Sequence, residues 1–309
     1  MSLTTVRRVR DLRLSTWRGV LARSVQGFMK DNCTDWAAAL TYYGVLALFP
    51  ALIVIVALVG LVSEGERTVD TIVGIASDLG AGAVFENQSV SGVIEDVVTD
   101  KDSASVLLSF GLAGALWSAS GYIGAYTRAS NAIYAVEETR PFWKLRPLQL
   151  LITAASLVLL AIVAVILIVS GPVTDAIGNA LNIGDAPKTT WSILKWPVLV
   201  LVVLLMLALM SWIAPNVQPP RFRWLTLGGF ATLVAWAIAS FGFGLYVANF
   251  GSYDATYGAI GGVIAFLVWL YLSNCAVMLG VEINAEVQRG RAIQGGDPHP
   301  DDPILPPRG

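Results

Sequence analysis

Residues 252–286 read SYDATYGAIGGVIAFLVWLYLSNCAVMLGVEINAE. From 258 to 281 this stretch contains no charged residue. As a helix, that uncharged run is about 36 Å long at ~1.5 Å per residue. The hydrocarbon core of a bilayer is about 30 Å thick. The stretch therefore predicts a transmembrane helix with some tilt, rather than the buried helix of a soluble protein.

One face of this helix changes from uncharged to acidic near its end. Side chains four residues apart lie on the same face of a helix, and this face contains Asn274, Met278, Glu282 and Glu286. Two interpretations stay open. The face is either a packing asparagine followed by two solvated carboxylates at the membrane edge, or a functional surface that leads into the membrane.

The composition favours a membrane protein and excludes several other classes. Of the 309 residues, 55% are hydrophobic and only 14% are charged. The net charge of −2 argues against a nucleic-acid partner. The two cysteines provide neither a disulfide framework nor metal-ligand spacing, and the single histidine, His299, lies in a tail rich in Pro and Asp. We therefore predict no metal, no cofactor and no enzymatic activity.

The sequence predicts an all-α membrane protein with six transmembrane helices, at 36–62, 104–126, 148–170, 195–214, 224–247 and 258–281. These spans form a transmembrane domain over 36–286. Residues 1–35 are predicted to be a basic tail followed by an amphipathic helix in the membrane interface, with a short core-packing helix as the alternative. The acidic segment 63–103 is predicted to form two extracytoplasmic amphipathic helices. Residues 287–309 are predicted to be a disordered tail.

The distribution of basic residues predicts the orientation. With six spans, both termini lie on one side of the membrane. Sixteen of the 20 Lys and Arg residues fall on that side, and four fall on the other. By the positive-inside rule, both termini are therefore predicted to be cytoplasmic, and 63–103 is predicted to be extracytoplasmic.

Three stretches of the chain resemble one bacterial family. They read AAALTYYGVLALFPALIVIVALVG (37–60), LWSASGYIGAYTRASNAIYAVEETRPFWKLR (116–146) and YGAIGGVIAFLVWLYLSNCAVMLGVEINAE (257–286). In order and spacing they resemble the YihY/BrkB family of inner-membrane proteins, over about residues 20–290. The residues that match the family pattern are Tyr42, Tyr43, Phe49, Pro50, Asn131, Tyr134, Glu137, Arg140, Pro141, Tyr257, Gly258, Glu282, Asn284 and Glu286. Arg128 stands where members often have an apolar residue, so no family role is transferred to it.

The resemblance implies six transmembrane helices and a multi-pass protein of the bacterial inner membrane. The family was once labelled ribonuclease BN, one branch is named for resistance to serum killing, and another is linked to movement of lipid A precursors or other envelope lipids. A ribonuclease needs histidine acid–base partners or carboxylates clustered around metal ions. The sequence indicates neither, so ribonuclease activity is not expected.

Charged residues are absent from the middle of every predicted span and collect at the predicted cytoplasmic boundary. Coupled ion transporters usually place an acidic residue or histidine at mid-depth, whereas arginine at a boundary suits phosphate-bearing headgroups. We predict a flippase or exporter of lipids or other amphiphiles, with membrane lipids as partners. The alternative is a non-transporting scaffold or envelope-assembly factor that binds envelope proteins or further copies of this chain. The candidate substrate-binding residues are Asp35, Tyr42, Tyr43, Asn131, Tyr134, Glu137, Arg140, Asn274, Glu282 and Glu286.

Overall fold

A computed structural model describes residues 12–62, 101–168, 185–218, 226–249, 253–296 and 304–308. Within these ranges the chain forms seven α-helices: α1 Leu14–Lys30, α2 Cys33–Val62, α3 Lys101–Ile133, α4 Phe142–Ile168, α5 Asp185–Ile213, α6 Leu227–Asn249 and α7 Tyr253–Gln294. The described residues contain no β-strand, only an isolated bridge between Val217 and Pro307. The all-α prediction is confirmed for this part of the chain.

Each of the six predicted spans coincides with one helix, from α2 to α7. Four of these helices contain stretches that are long and apolar enough to cross a membrane: Phe142–Val163, Thr190–Ile213, Leu227–Ala248 and Gly261–Gln294. At most 22% of the most apolar part of each stretch is buried inside the chain. Most residues of these stretches are therefore not buried against other described parts of the chain, which suits helices that contact lipid. The count of six spans and the orientation of the termini stay predictions.

Several helices are longer than the spans predicted from hydropathy. The third helix continues to Ile133 instead of ending at 126, and α7 continues to Gln294 instead of ending at 281. Hydropathy detects only the apolar part of a helix, whereas backbone hydrogen bonding continues through polar residues. The predicted amphipathic segment 63–103 lies outside the described residues up to 100, and 101–103 begin α3.

The prediction of disorder over 287–309 is wrong for two described stretches. Residues 287–294 are the last turns of α7, and residues 304–308 lie along the end of α5. Gln218 donates from its backbone N–H to the Pro306 carbonyl at 2.8 Å and from its side chain to the Pro307 carbonyl at 2.9 Å. The physical reason is that the last carbonyl groups of α5 need donors from another part of the chain, and Arg308 donates to those of Trp212 and Ile213.

The chain divides into two compact units. The first contains Met1–Ala37, Ile123–Ala237 and Cys275–Gly309, and the second contains Ala38–Tyr122 and Ile238–Asn274. In the first unit, α1 runs antiparallel along the end of α7. Gln294 at the end of α7 accepts hydrogen bonds from the Arg13 N–H at 3.0 Å and the Thr16 hydroxyl at 2.9 Å, which satisfies donors at the start of α1.

An apolar contact lies one turn further along this pair of helices. Val20 is fully buried against Val287, and Trp17 and Ile283 pack around them. On the opposite face of α1, four apolar side chains are exposed: Leu14, Leu21, Val25 and Met29. The helix thus has one face packed on α7, which was the alternative prediction, and a second apolar face that suits the predicted position at a membrane surface.

The helices α6 and α7 approach each other backbone to backbone at two glycines of the first unit. A Cβ atom added at Gly280 would lie 2.6 Å from the Gly228 carbonyl oxygen and would also clash with the Thr232 hydroxyl. The Gly228 N–H donates to the Asn284 side chain at 2.9 Å, and the Thr232 hydroxyl donates to the Gly228 carbonyl at 2.9 Å. Small residues at such a crossing permit close helix packing in membranes.

Candidate functional site

The predicted acidic face of α7 is buried. Asn274, Met278, Glu282 and Glu286 are all less than 5% exposed. The interpretation that Glu282 and Glu286 are solvated carboxylates at the membrane edge is therefore wrong. Lys, Arg, Asp and Glu are almost never fully buried unless they are paired. The groups that surround these two carboxylates are therefore expected to include cations or hydrogen-bond donors.

Glu286 is held by two arginines. Arg23 of α1 donates from Nε to one carboxylate oxygen at 2.6 Å, and Arg289 of α7 donates to the other. Arg23 and Arg289 thus each form an ion pair with Glu286. Charge-assisted hydrogen bonds of this kind are stronger than neutral ones. We call Arg23, Glu282, Glu286 and Arg289 the α1–α7 cluster.

Glu282, one turn before Glu286, is in a different situation. It is 1% exposed, and among the described residues its Oε2 atom has no hydrogen-bond partner. Its side chain lies directly against Gly27 of α1, where a Cβ atom would come within 2.8 Å of the Glu282 carboxyl carbon. Asp31 lies just beyond the end of α1. Burial raises the pKa of Asp31, and Lys30 and Arg289 offset only part of that rise.

A second group of polar residues surrounds the end of α3. This helix ends because Ala135 adopts a left-handed backbone with φ of 53°, and the Val136 N–H donates back to the Asn131 carbonyl at 3.0 Å. The Asn131 side chain donates to Glu138 at 3.0 Å and accepts from the Asn216 backbone N–H at 2.7 Å. The chain that leaves α3 is thereby tied to the end of α5.

Arg140 completes this group. Its guanidinium donates to both oxygens of Glu138 at 2.7 Å and to the Ala214 carbonyl at the end of α5, also at 2.7 Å. Burial of Glu138 raises its pKa, but the hydrogen bonds from Arg140 and Asn131 outweigh this effect and hold the pKa below its ordinary value. We call Asn131, Glu138, Arg140 and Asn216 the loop cluster.

Arg308 lies beside the loop cluster. It donates from Nε to the Val217 carbonyl at 2.7 Å and also donates to the Trp212 carbonyl, while its guanidinium lies 5.6 Å from the Trp212 ring centre. Burial lowers the pKa of Arg308, and the charge of Arg140 lowers it further. Two arginines thus complement the negative end of the α5 dipole.

The second unit contains an uncharged polar group that joins three helices. Asn274 of α7 accepts a hydrogen bond from the Tyr122 hydroxyl of α3 at 2.9 Å and donates to the Thr41 hydroxyl of α2 at 3.1 Å. We call these three residues the polar seam. Tyr43 packs its ring against Gly121, and Tyr42, which is 62% exposed, meets Tyr43 edge to face at 5.3 Å.

The structure brings the ten predicted site residues together only in part. Glu282 and Glu286 belong to the α1–α7 cluster, Asn131 and Arg140 to the loop cluster, and Asn274 to the polar seam. Tyr134 is buried, and its carbonyl accepts from the Ile304 N–H at 3.4 Å. Tyr42 and Tyr43 adjoin the polar seam. Asp35 and Glu137 are exposed, and the Glu137 backbone carbonyl accepts a hydrogen bond from the Asn216 side chain at 2.9 Å.

Sequence reasoning missed partners that are distant in the chain. The missed residues are Arg23, Tyr122, Glu138, Asn216, Arg289 and Arg308. The spacing of Glu286 and Arg289, one turn apart on α7, is the signal that could have identified one of them. Among the described residues, no group of three or more His, Cys, Asp or Glu side chains could hold a metal ion.

The apolar helices together with buried polar contacts between them define a helical membrane protein. The family model described as virulence factor BrkB matches residues 24–304. The chain therefore belongs to the BrkB family. No solved structure matches it significantly.

Curated relatives agree with this assignment. A protein named ribonuclease-like protein YfkH from Bacillus subtilis is 31% identical over 264 residues, which cover 85% of this chain and 93% of the relative. A UPF0761 membrane protein of Rhodospirillum centenum is 29% identical, with 89% of this chain and 58% of the relative covered. One from Halorhodospira halophila is 26% identical, with coverages of 91% and 59%. The chain thus spans nearly all of the first relative but less than two thirds of these two UPF0761 relatives.

Proposed function

We propose that this chain is a multi-pass protein of the bacterial inner membrane that moves lipids or other amphiphiles across the bilayer. The polar seam is the observation that carries the proposal. Thr41, Tyr122 and Asn274 are uncharged polar residues on three helices whose other side chains are mostly apolar. A headgroup crossing the bilayer needs such a polar path, whereas acyl chains can stay in the surrounding lipid.

The energetics of the seam suit passage rather than tight binding. Hydrogen bonds between transmembrane helices contribute about 0.6 kcal/mol on average. A polar headgroup can therefore replace the contacts of Asn274 with Tyr122 and Thr41 at small cost. Tyr42, exposed beside the seam, provides a ring and a hydroxyl at the surface where a lipid would enter.

The proposed topology places charged groups at the level of the lipid headgroups on the cytoplasmic side. Both termini lie in the cytoplasm, six helices cross the membrane, and α1 lies at the inner surface with Leu14, Leu21, Val25 and Met29 toward lipid. The α1–α7 cluster and the loop cluster are then at the cytoplasmic boundary. Labelling of cysteines placed at Asp70 and Asp96 tests this orientation, because reaction from the cytoplasmic side alone would contradict it.

The test is reconstitution into liposomes that contain phospholipids with fluorescent headgroups. A membrane-impermeant quencher reports how fast the labelled lipid moves between leaflets. We expect protein-dependent movement that Asn274→Leu reduces strongly. Ser273→Ala, one residue away on α7, is the matched control, since the Ser273 hydroxyl donates within its own helix to the Trp269 carbonyl and bonds no other helix among the described residues. Absence of movement for several headgroups would favour the scaffold instead. In this proposal the chain needs no catalytic residue.

A further inference from the structure

The α1–α7 cluster contains one carboxyl group that transport of a neutral or anionic amphiphile does not itself require. Glu282 is buried on α7 where α1 ends, one turn from Glu286. Arg23 and Arg289 both form their ion pairs with Glu286. Among the described residues, the Oε2 atom of Glu282 has no donor. The cluster therefore contains two carboxyl groups, and Glu286 is the one that forms ion pairs with both Arg23 and Arg289.

The groups that face Glu282 from neighbouring elements do not supply the missing positive charge at hydrogen-bond distance. Burial acts against an ionised Glu282, the Asp31 carboxylate adds repulsion, and the positive charge of Arg289 offsets part of these two effects. Cys33 of α2 and Tyr134 after α3 also lie within electrostatic range of Glu282, and neither is a cation. Because Gly27 has no side chain, the backbone of α1 lies directly against the Glu282 carboxyl group.

We propose that Glu282 is a proton-binding site that couples the docking of α1 on α7 to protons. With α1 docked, the buried carboxyl group keeps its proton and stays neutral, since an isolated carboxylate is very unfavourable in such surroundings. When Glu282 releases its proton to water, the resulting carboxylate is stable only if it is hydrated. Movement of α1 away from α7 at Gly27 would let water reach it.

This inference rests on the proposed function in one respect. It names the proton as a ligand that controls the same protein, so that the pH on the cytoplasmic side gates amphiphile movement. The proton site itself follows from the buried contacts of α1 and α7 and can be tested without any transport assay.

The first experiment follows proton binding in the purified full-length protein by infrared spectroscopy. We expect a band of a protonated carboxylic acid at neutral pH that disappears at alkaline pH and is absent in Glu282→Gln. Glu137→Gln is the matched control, because Glu137 has an exposed side chain, and it should keep the band. A wild-type protein without such a band at neutral pH would overturn the proposal, and this outcome needs no variant.

The second experiment follows α1 docking by spin-label distances between Met29 and Ile293, which are exposed positions on α1 and α7. The distance distribution should broaden at alkaline pH in the wild type and stay narrow in Glu282→Gln, since glutamine keeps the neutral form. Equal broadening in both proteins would contradict the coupling. Lipid movement that does not change with the pH on the cytoplasmic side would overturn the coupling to transport while leaving amphiphile transport intact. A pH-dependent distance change without any lipid movement would support the proton site and reject the transporter.

Discussion

The crossing of α6 and α7 at Gly228 and Gly280 gives the sharpest mutational prediction. The substitution Gly280→Ala places a methyl group 2.6 Å from the Gly228 carbonyl oxygen and against the Thr232 hydroxyl. An unstrained contact is about 3.5 Å, so the two backbones would have to separate by roughly 0.9 Å. Because one of the two clashing atoms is the Gly228 backbone carbonyl oxygen, rotation of the Thr232 side chain cannot relieve the whole clash.

The expected cost follows from two terms. Overpacking of this kind costs about 1–3 kcal/mol. Displacement of the Thr232 hydroxyl from the Gly228 carbonyl removes a hydrogen bond that contributes about 1 kcal/mol. Relative to a control with the same change in helix propensity, Gly280→Ala should therefore lower the free energy of unfolding by about 2–4 kcal/mol.

The matched control lies on the same helix. Among the described residues, no atom lies within 4 Å of a Cβ added at Gly262 of α7, so Gly262→Ala gains helix propensity of up to about 1 kcal/mol without a clash there. Thermal unfolding in detergent, followed by size exclusion, should show a midpoint for Gly280→Ala roughly 5–10 °C below that of Gly262→Ala. Equal midpoints for the two variants would refute the close backbone contact between α6 and α7.

Two further predictions concern ion pairs. Arg23→Met should destabilise the protein by about 1.5–3 kcal/mol, because Glu286 loses a charge-assisted hydrogen bond, whereas Arg18→Met on the exposed side of α1 should change the unfolding midpoint little; equal effects would argue against the Arg23–Glu286 pair. The lowered pKa of Glu138 adds stability that is complete above the ordinary pKa of glutamate and is lost as the pH falls through the lowered value in the folded protein. Unfolding midpoints measured between neutral and acidic pH should therefore fall less steeply for Glu138→Gln than for Glu137→Gln.

The sequence predicts the helices well because its signals are local. The uncharged run of α7 and the four-residue spacing from Asn274 to Glu286 depend only on helix geometry, and the structure confirms that this spacing forms one buried face. The partner of Glu286 was not predictable in the same way. Arg23 precedes it by 263 residues, and no periodicity links α1 to the end of α7.

The loop cluster shows a second limit of local reasoning. The resemblance pointed to Glu137, but the structure uses the Glu138 side chain and exposes that of Glu137. The cause is the left-handed backbone at Ala135, with φ of 53°, which ends the helical register just before these residues. An alanine in this conformation carries no sequence signal, because glycine and asparagine are the residues that usually mark it.

The most direct test of the account is lipid movement in liposomes through the polar seam. Wild-type protein, Tyr122→Phe and Asn274→Leu are compared at equal reconstitution and equal thermal stability, with Ser273→Ala as the control. We expect fast lipid movement for the wild type and the control, slower lipid movement for Tyr122→Phe and the slowest for Asn274→Leu. Identical rates in all four proteins, or a wild-type rate equal to that of protein-free liposomes, would contradict it.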